Sequence, residues 1–367
     1  MKILIFTIIG RGPGTKLQNF ALQYFLEKKY NAEVKTIRRN SYFYKKLSWK
    51  NMYGIDSIKT FIKFFINYKG YREWILKEKS VQDSWLDFDR NIHYTNYIKK
   101  ENDGPIEKKI VNDFDYFFVG SDQIWNPNWY HDIDYFKYVN KNKQIAYAGS
   151  FGVYTIPDKL KDSFKRVFEN MGNISVREEA GAKIIKELIG KDVPVVIDPT
   201  LLLDKNEWLK VSKKPEWIKE KKYILAFFLG DISNERRQIF DRLAKNKNLE
   251  IIYILKYDNI DWAKVGPAEF IYLVNNSEAI ITDSYHGSVF SIIMHKPFFV
   301  FNREEKNMCN MNSRLETLLK KFNLENRYQT NNNINEENLF HVDYSNMKTI
   351  LEKEREYAIN YLEKAMQ

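Results

Sequence analysis

The sequence predicts an α/β protein of two Rossmann-like domains. Three observations carry this. β-forming runs alternate with helical patterns along most of the chain, the connections between them are short, and the alternation restarts near residue 222. A polar stretch rich in Lys, Glu and Trp, 205–221, separates the two runs, so the domains are expected over 1–205 and 206–367. At 44% hydrophobic, the chain can bury a sizeable core in each.

MKILIFTII (1–9) reads as the first strand. Gly10-Arg11-Gly12-Pro13-Gly14 reads as a turn, because that density of Gly and Pro does not suit a helix. Leu17, Phe20, Ala21, Tyr24, Phe25 and Leu26 follow at helical spacing, and 32–37 is a second strand. Phe61, Phe64, Phe65 and Tyr68 share one helical face in a lysine-rich segment, 41–80. It reads as part of a helical insert of about 41–110, or else as a basic aromatic surface touching membrane or polysaccharide. Strands are expected at 114–119 and 144–148, and a strand, helix and strand over 173–198. The second run places strands at 223–229, 250–255, 279–283 and 297–301, and helices at 235–245, 267–275 and 288–295. Residues 345–367 form one amphipathic helix.

The formal net charge is +10, which allows nucleic acid, an anionic membrane face or small anions as partners. The 58 Lys and Arg are spread along the chain, with no zinc-finger spacing or RNA-binding motif, so no nucleic-acid partner is expected. A single cysteine, Cys309, excludes an internal disulfide. No apolar run approaches the roughly 18 residues of a membrane span, and the N-terminus does not resemble a signal peptide. The expectation is a cytoplasmic protein, with peripheral association with the inner membrane face left open. The five histidines (93, 131, 286, 295, 341) are scattered without metal-ligand spacing, so no metal is expected. No GxSxG elbow is present, and GRGPGTK (10–16) matches neither phosphate-loop pattern.

Three clusters carry chemistry. TDSYHG (282–287) follows a buried strand, at the edge where open α/β sheets bind ligands. Gly287 and Ser288 are expected to open a helix whose N–H groups form an anion site, with His286 at the junction. The plainer reading is a capped helix, with Asp283 or Ser284 as the cap. GSDQIWNP (120–127) sets Ser121, Asp122, Gln123 and Asn126 after another β run, with Trp125 and Trp129 offering faces for a sugar, or filling a core. In ISVREEAGAKII (174–185), Arg177 stands between strand and helix, suited to a carboxylate or phosphate, or to a local salt bridge.

Together these motifs resemble the polysaccharide pyruvyl transferase family. The match runs in order through GTKLQNFALQYFL, GSDQIWNP, YAGSFG, ISVREEAGAKII, DPTLLL, the block from 266 to 298, and NSRLETLLKKFNL. Gly12-Pro13 stand where the family usually has Asn-Tyr. The resemblance implies a GT-B-like arrangement: two Rossmann-like domains, an interdomain cleft and a C-terminal helix. It implies transfer of the pyruvyl group of phosphoenolpyruvate, as donor substrate and without a cofactor, to a sugar or lipid-linked oligosaccharide of a cell-surface polysaccharide, forming a ketal. His286 and Asp122 would be catalytic. Arg177, Arg314, Asp283, Ser284, Gly287, Ser288, Gly14, Ser121, Gln123 and Asn126 would bind substrates. His286 would act as the imidazolium, favoured by Asp283 or by the substrate. The alternatives are a GT-B glycosyltransferase using a nucleotide sugar in exopolysaccharide synthesis, and a non-catalytic binding module.

Overall fold

The computed structural model describes residues 1–8, 12–39, 83–99, 105–129, 135–255, 260–304, 312–330, 334 and 336–367. The aromatic segment 41–80 lies outside them, as do His131 and Cys309.

Short, fully buried apolar runs make the strands. Leu4-Ile5-Phe6, Phe117-Phe118-Val119 and Ile280-Ile281 are all inaccessible to solvent, the signature of parallel strands covered on both faces. In the first sheet these are β1 (Lys2–Phe6), β2 (Glu33–Arg39), β3 (Tyr94–Lys99), β4 (Tyr116–Val119), β5 (Gln144–Gly149) and β6 (Asn173–Val176). Their order is β3-β2-β1-β4-β5-β6, and every pairing is parallel. This is the Rossmann order. β3 comes from within the stretch expected to be a helical insert, so part of that stretch belongs to the sheet. The strand expected near 193–198 is only an isolated bridge between Val195 and Val176.

The second sheet contains β7 (Tyr223–Phe227), β8 (Glu250–Ile254), β9 (Ala279–Thr282), β10 (Phe298–Phe301) and β11 (Tyr328–Gln329). Its order, β11-β10-β9-β7-β8, is the other common doubly wound pattern. In each sheet the chain reverses its direction of growth once, between β1 and β4 and between β7 and β9. Ligands bind outside the carboxyl ends of the strands at such points.

The principal helices are α1 (Pro13–Tyr30), α2 (Asp158–Asn170), α3 (Glu179–Ile189), α4 (Asn234–Asn246), α5 (Pro267–Asn276), α6 (Tyr285–Ile293), α7 (Ser313–Lys321) and α8 (Met347–Ala365). α1 starts inside the predicted turn. Pro13 is its first residue, where a missing N–H and a fixed φ are harmless.

One apolar cluster runs through both units. Trp208 joins them, 5.7 Å from the Phe20 ring in α1 and 4.9 Å from Phe290 in α6. α8 returns to the first sheet: Tyr361 Oη donates to Ala146 O at 2.7 Å, and Asn173 Nδ2 donates to Ala365 O at 3.3 Å. Two Rossmann-like units facing one another, tied by a C-terminal helix, make this a two-domain α/β fold of GT-B-like arrangement.

Candidate active site

The two reversal points converge. β1 feeds α1, and β9 feeds α6. The His286 ring lies directly on Gly14: a Cβ at Gly14 would stand 2.0 Å from His286 Nδ1. Only a residue without a side chain lets the histidine approach the first domain so closely.

The local sequence explains how His286 gets there. Thr282 Oγ1 donates to Phe227 O at 2.5 Å and accepts from Ser284 N at 3.0 Å, pinning the end of β9 to β7. Ser284 is the N-cap; its Oγ accepts from Gly287 N–H at 3.4 Å. The helix therefore starts at Tyr285, three residues before the sequence reading placed it. Gly287 and Ser288 lie within its first turn, with the Ser288 N–H given to Ser284 O at 3.1 Å. Their N–H groups are already used, which corrects the expected anion site there. Gly287 has a different necessity: a Cβ would meet Thr282 Oγ1 at 2.3 Å.

Asp283 also differs from expectation. Its carboxylate accepts from Leu229 N at 2.7 Å and Gly230 N at 2.8 Å, and lies 3.4 Å from Arg303 Nε. It secures the connection after β7. The carboxylate beside the histidine is Asp198, with Oδ2 3.8 Å from His286 Nε2.

Asp198 and Asp122 share Arg177. Nη1 of Arg177 donates to Asp198 Oδ2 at 2.6 Å, and Nη2 to Asp122 Oδ1 at 3.2 Å. Ser121 Oγ donates to Asp198 Oδ2 at 3.2 Å, and Thr200 donates to Oδ1 through N at 3.0 Å and Oγ1 at 2.7 Å. The guanidinium also lies over the Tyr285 ring, 4.2 Å from its centre. Beside it, Glu178 Oε1 accepts from Ser150 Oγ, Phe151 N and Gly152 N at 2.9–3.1 Å, holding the loop after β5.

Arg314, the second residue of α7, approaches from the other domain, its guanidinium 5.7 Å from the same Tyr285 ring. It is buried, Nε has no hydrogen-bond partner, and among the described residues no carboxylate lies within ion-pair distance. His286 Nε2 likewise has no hydrogen-bond partner.

The rest of GSDQIWNP packs around the loop after β5. Trp125 lies under Gly149, where a Cβ would come within 2.5 Å of its ring, and packs on Phe151 and Phe168. It is no exposed sugar platform; the Trp129 side chain lies outside the described residues. Gln123 Nε2 would meet a Cβ at Gly152 at 2.0 Å, and Asn126 Oδ1 accepts from Asn128 N at 2.9 Å. Asp122, with φ +61°, keeps an opening to solvent: its side chain is 11% exposed and that of His286 is 8%, against 0% for Arg177 and Asp198.

The fold thus brings together Gly14, Ser121, Asp122, Arg177, His286 and Arg314, and sets Asp283, Ser284, Gln123, Asn126, Gly287 and Ser288 to supporting contacts. Sequence reasoning missed Asp198 and Tyr285. Asp198 had a signal, since it is a polar residue ending the β run VPVVI, in DPTLLL.

Burial pulls His286 below the ordinary imidazole value, and the opposing pull of Asp198 and Asp122 does not overcome it. Burial pushes the Asp122 carboxyl up, but Arg177, His286 and Arg314 outweigh it and hold it below its usual range. Asp198 behaves the same way, held down by Arg177, His286 and Thr200. Burial, and then Arg177, bring Arg314 down to about 10. Among the described residues, no group of three His, Cys, Asp or Glu could hold a metal ion, and no helix is long and apolar enough to cross a membrane.

Comparison with known proteins decides the family. The polysaccharide pyruvyl transferase profile matches residues 16–305. The chain belongs to the polysaccharide pyruvyl transferase family. That family implies a transferase acting on polysaccharide. The matched stretch contains Asp122, Arg177, Asp198 and His286; Gly14 and Arg314 fall just outside it and are placed by geometry alone. No curated protein sequence matches the chain. Solved structures are similar at low identity. UDP-GlcNAc 2-epimerase from Neisseria meningitidis is 11% identical over 98% of this chain and 94% of its own, with a TM-score of 0.48. A putative UDP-N-acetylglucosamine 2-epimerase from Listeria monocytogenes is 10% identical over 98% and 91%, with a TM-score of 0.49. The E. coli ADP-heptose LPS heptosyltransferase II is 9% identical over 96% and 99%, with a TM-score of 0.38.

Proposed function

We propose that this transferase moves the pyruvyl group of phosphoenolpyruvate onto a sugar of a cell-surface polysaccharide or its lipid-linked precursor, forming a ketal. The observation that carries this reading is Arg314: a buried guanidinium without a carboxylate, set across the Tyr285 ring from the Arg177 cluster. A buried charge is costly until it is paired. A small ligand bearing a carboxylate and a phosphate suits that vacancy and the family's chemistry.

In this reading Arg314 takes the donor's anionic end, beside His286 Nε2. The bound dianion supplies the negative charge that brings the imidazole back toward its protonated form. The imidazolium then gives its proton to the donor's methylene carbon, and C2 becomes an oxocarbenium ion. A sugar hydroxyl adds to C2 and returns a proton to His286; the C2–O bond to phosphate breaks, and a second hydroxyl closes the ketal as its proton leaves with the phosphate. Asp122, held ionised at the open edge, orients the attacking hydroxyl. Arg177 acts at one remove, fixing Asp122 and Asp198 on either side. No cofactor enters this sequence.

The test is phosphate release from phosphoenolpyruvate in the presence of candidate glycan acceptors, with mass spectrometry of the acceptor. An acceptor gaining a pyruvyl ketal supports the reading. Turnover of nucleotide sugars, with none of phosphoenolpyruvate, would replace it with glycosyl transfer.

A further inference from the structure

A second cavity, of about 1130 Å³, lies apart from the residues described above. Three pieces of chain wall it: the segment before β3, the linker ahead of β7 and the residues leading into α5. It neighbours the candidate active site through α1. Gly14 carries the His286 ring, and Lys16, two residues on, pairs with Asp89. Asp87 and Arg90, either side of Asp89, line the cavity.

Its chemistry differs from that of the first site. Six of the charged groups on its wall are paired with one another, and Asp83, Lys214 and Glu216 stand beside them. Arg90 lies 3.2 Å from Asp87, Lys213 lies 3.1 Å from Asp87 and 3.6 Å from Glu269, and Lys264 lies 3.5 Å from Asp261. Five carboxylates (Asp83, Asp87, Glu216, Asp261, Glu269) face four cations (Arg90, Lys213, Lys214, Lys264), a near balance that argues against a phosphate. One polar atom is left over: Glu269 is 8% exposed, and its Oε2 is buried without a hydrogen-bond partner. Such an oxygen is costly unless a donor reaches it. Two apolar faces complete the wall, the half-buried Trp217 and Leu86, 43% exposed. Hydroxyl donors on a ring with an apolar face meet all three conditions.

We propose that this cavity binds a neutral saccharide, with a hydroxyl donating to Glu269 Oε2 and a sugar face on Trp217. Its identity as an outer part of the acceptor rests on the transfer reading above; saccharide binding itself does not.

The experiment titrates lactose, maltotriose and chitotriose against the wild-type chain, Glu269→Gln, Trp217→Ala and Leu86→Trp, followed by saturation-transfer NMR and calorimetry. Leu86→Trp fills the cavity from its exposed wall and leaves buried groups alone, so it reports even if Trp217→Ala fails to fold. At least one saccharide should bind, and each folded variant should weaken it by about tenfold or more. Binding of none of the three, or equal binding to wild type and variants, overturns the proposal. Phosphoenolpyruvate melting shifts are measured on the same samples. Saccharide binding lost in these variants with the wild-type phosphoenolpyruvate response retained supports a separate saccharide site. Variant-sensitive saccharide binding without any phosphoenolpyruvate response also supports that site, and removes the transfer reading instead.

Discussion

The two halves of the candidate site are built on opposite electrostatic terms. In the first domain, Arg177 is fully enclosed and bonded to Asp198 at 2.6 Å and Asp122 at 3.2 Å, and Asp198 accepts further from Ser121 and Thr200. In the second domain, Arg314 is also buried, yet neither its Nε nor His286 Nε2 finds a hydrogen-bond partner. Arg177 Nε is also without a hydrogen-bond partner, so the difference lies in the ion pairs: Arg177 has two carboxylates, and Arg314 has none within ion-pair distance among the described residues. Two arginines that look alike in sequence are therefore placed differently: Arg177 organises carboxylates, and Arg314, with none, is the one proposed to take the anionic donor.

Removing each arginine should break this contrast most visibly. Arg177→Ala strands two buried carboxylates, and loss of one partner of a buried pair costs about 3–5 kcal/mol. Urea unfolding should register that as a large drop in midpoint. Arg314→Ala removes a charge that burial already disfavours, so its midpoint should hold or rise. Equal destabilisation by the two substitutions would erase the distinction.

His286→Gln should fold as wild type and turn over about 100-fold or more slowly, the lower end of what an acid catalyst contributes. Gly14→Ala sharpens the point, because its methyl would stand 2.0 Å from His286 Nδ1. It should shift the imidazole and lower turnover in the same direction. If both variants keep near wild-type rates of phosphate release, the histidine is a packing residue.

The pH dependence follows from the depressed His286 value. The folded value lies below the unfolded one of about 6.5, so neutral His286 favours the folded state above that pH. This contribution is lost as pH falls through the folded value, and His286→Gln should lessen the loss of stability on acidification. In kinetics, the imidazolium is needed, so kcat/KM should fall as pH rises through a value under about 6.5. The bound dianion should place the fall of kcat at higher pH. An activity that rises through this range contradicts the acid role.

The smallest effect belongs to a residue the sequence made conspicuous. Asp283 closes the β7 connection within one domain. Asp283→Asn should lower stability modestly, by about 1.5–3 kcal/mol for hydrogen bonds to a charged group, and leave phosphoenolpyruvate affinity unchanged once folded.

These residues also show what was legible in the sequence. The alternation of apolar runs and helical patterns is local, so strands such as 116–119 and 279–282 fall close to where the pattern puts them. The junctions were harder. Ser284 capping moves the start of α6 back to Tyr285, and Pro13 begins a helix where the Gly and Pro density suggested only a turn. His286, Asp122, Arg177 and Arg314 were visible because each is polar beside a strand end or helix start. Their division of labour was not, because it depends on Asp198, which only the fold brings between Arg177 and His286. Trp125 looked like a sugar platform for the same reason; the glycine that lets it sink into the core, Gly149, lies 24 residues away, at 149 against 125.

The central claim is that the second domain's half of the site is completed by an anionic donor held on Arg314. Calorimetric titration of phosphoenolpyruvate into wild type and Arg314→Ala, at one pH and ionic strength, tests it most directly. A charge-assisted contact is worth about 1.5–3 kcal/mol, so the variant should bind roughly 10- to 150-fold more weakly while melting no lower than wild type. A folded Arg314→Ala protein that binds phosphoenolpyruvate as tightly as wild type would contradict it.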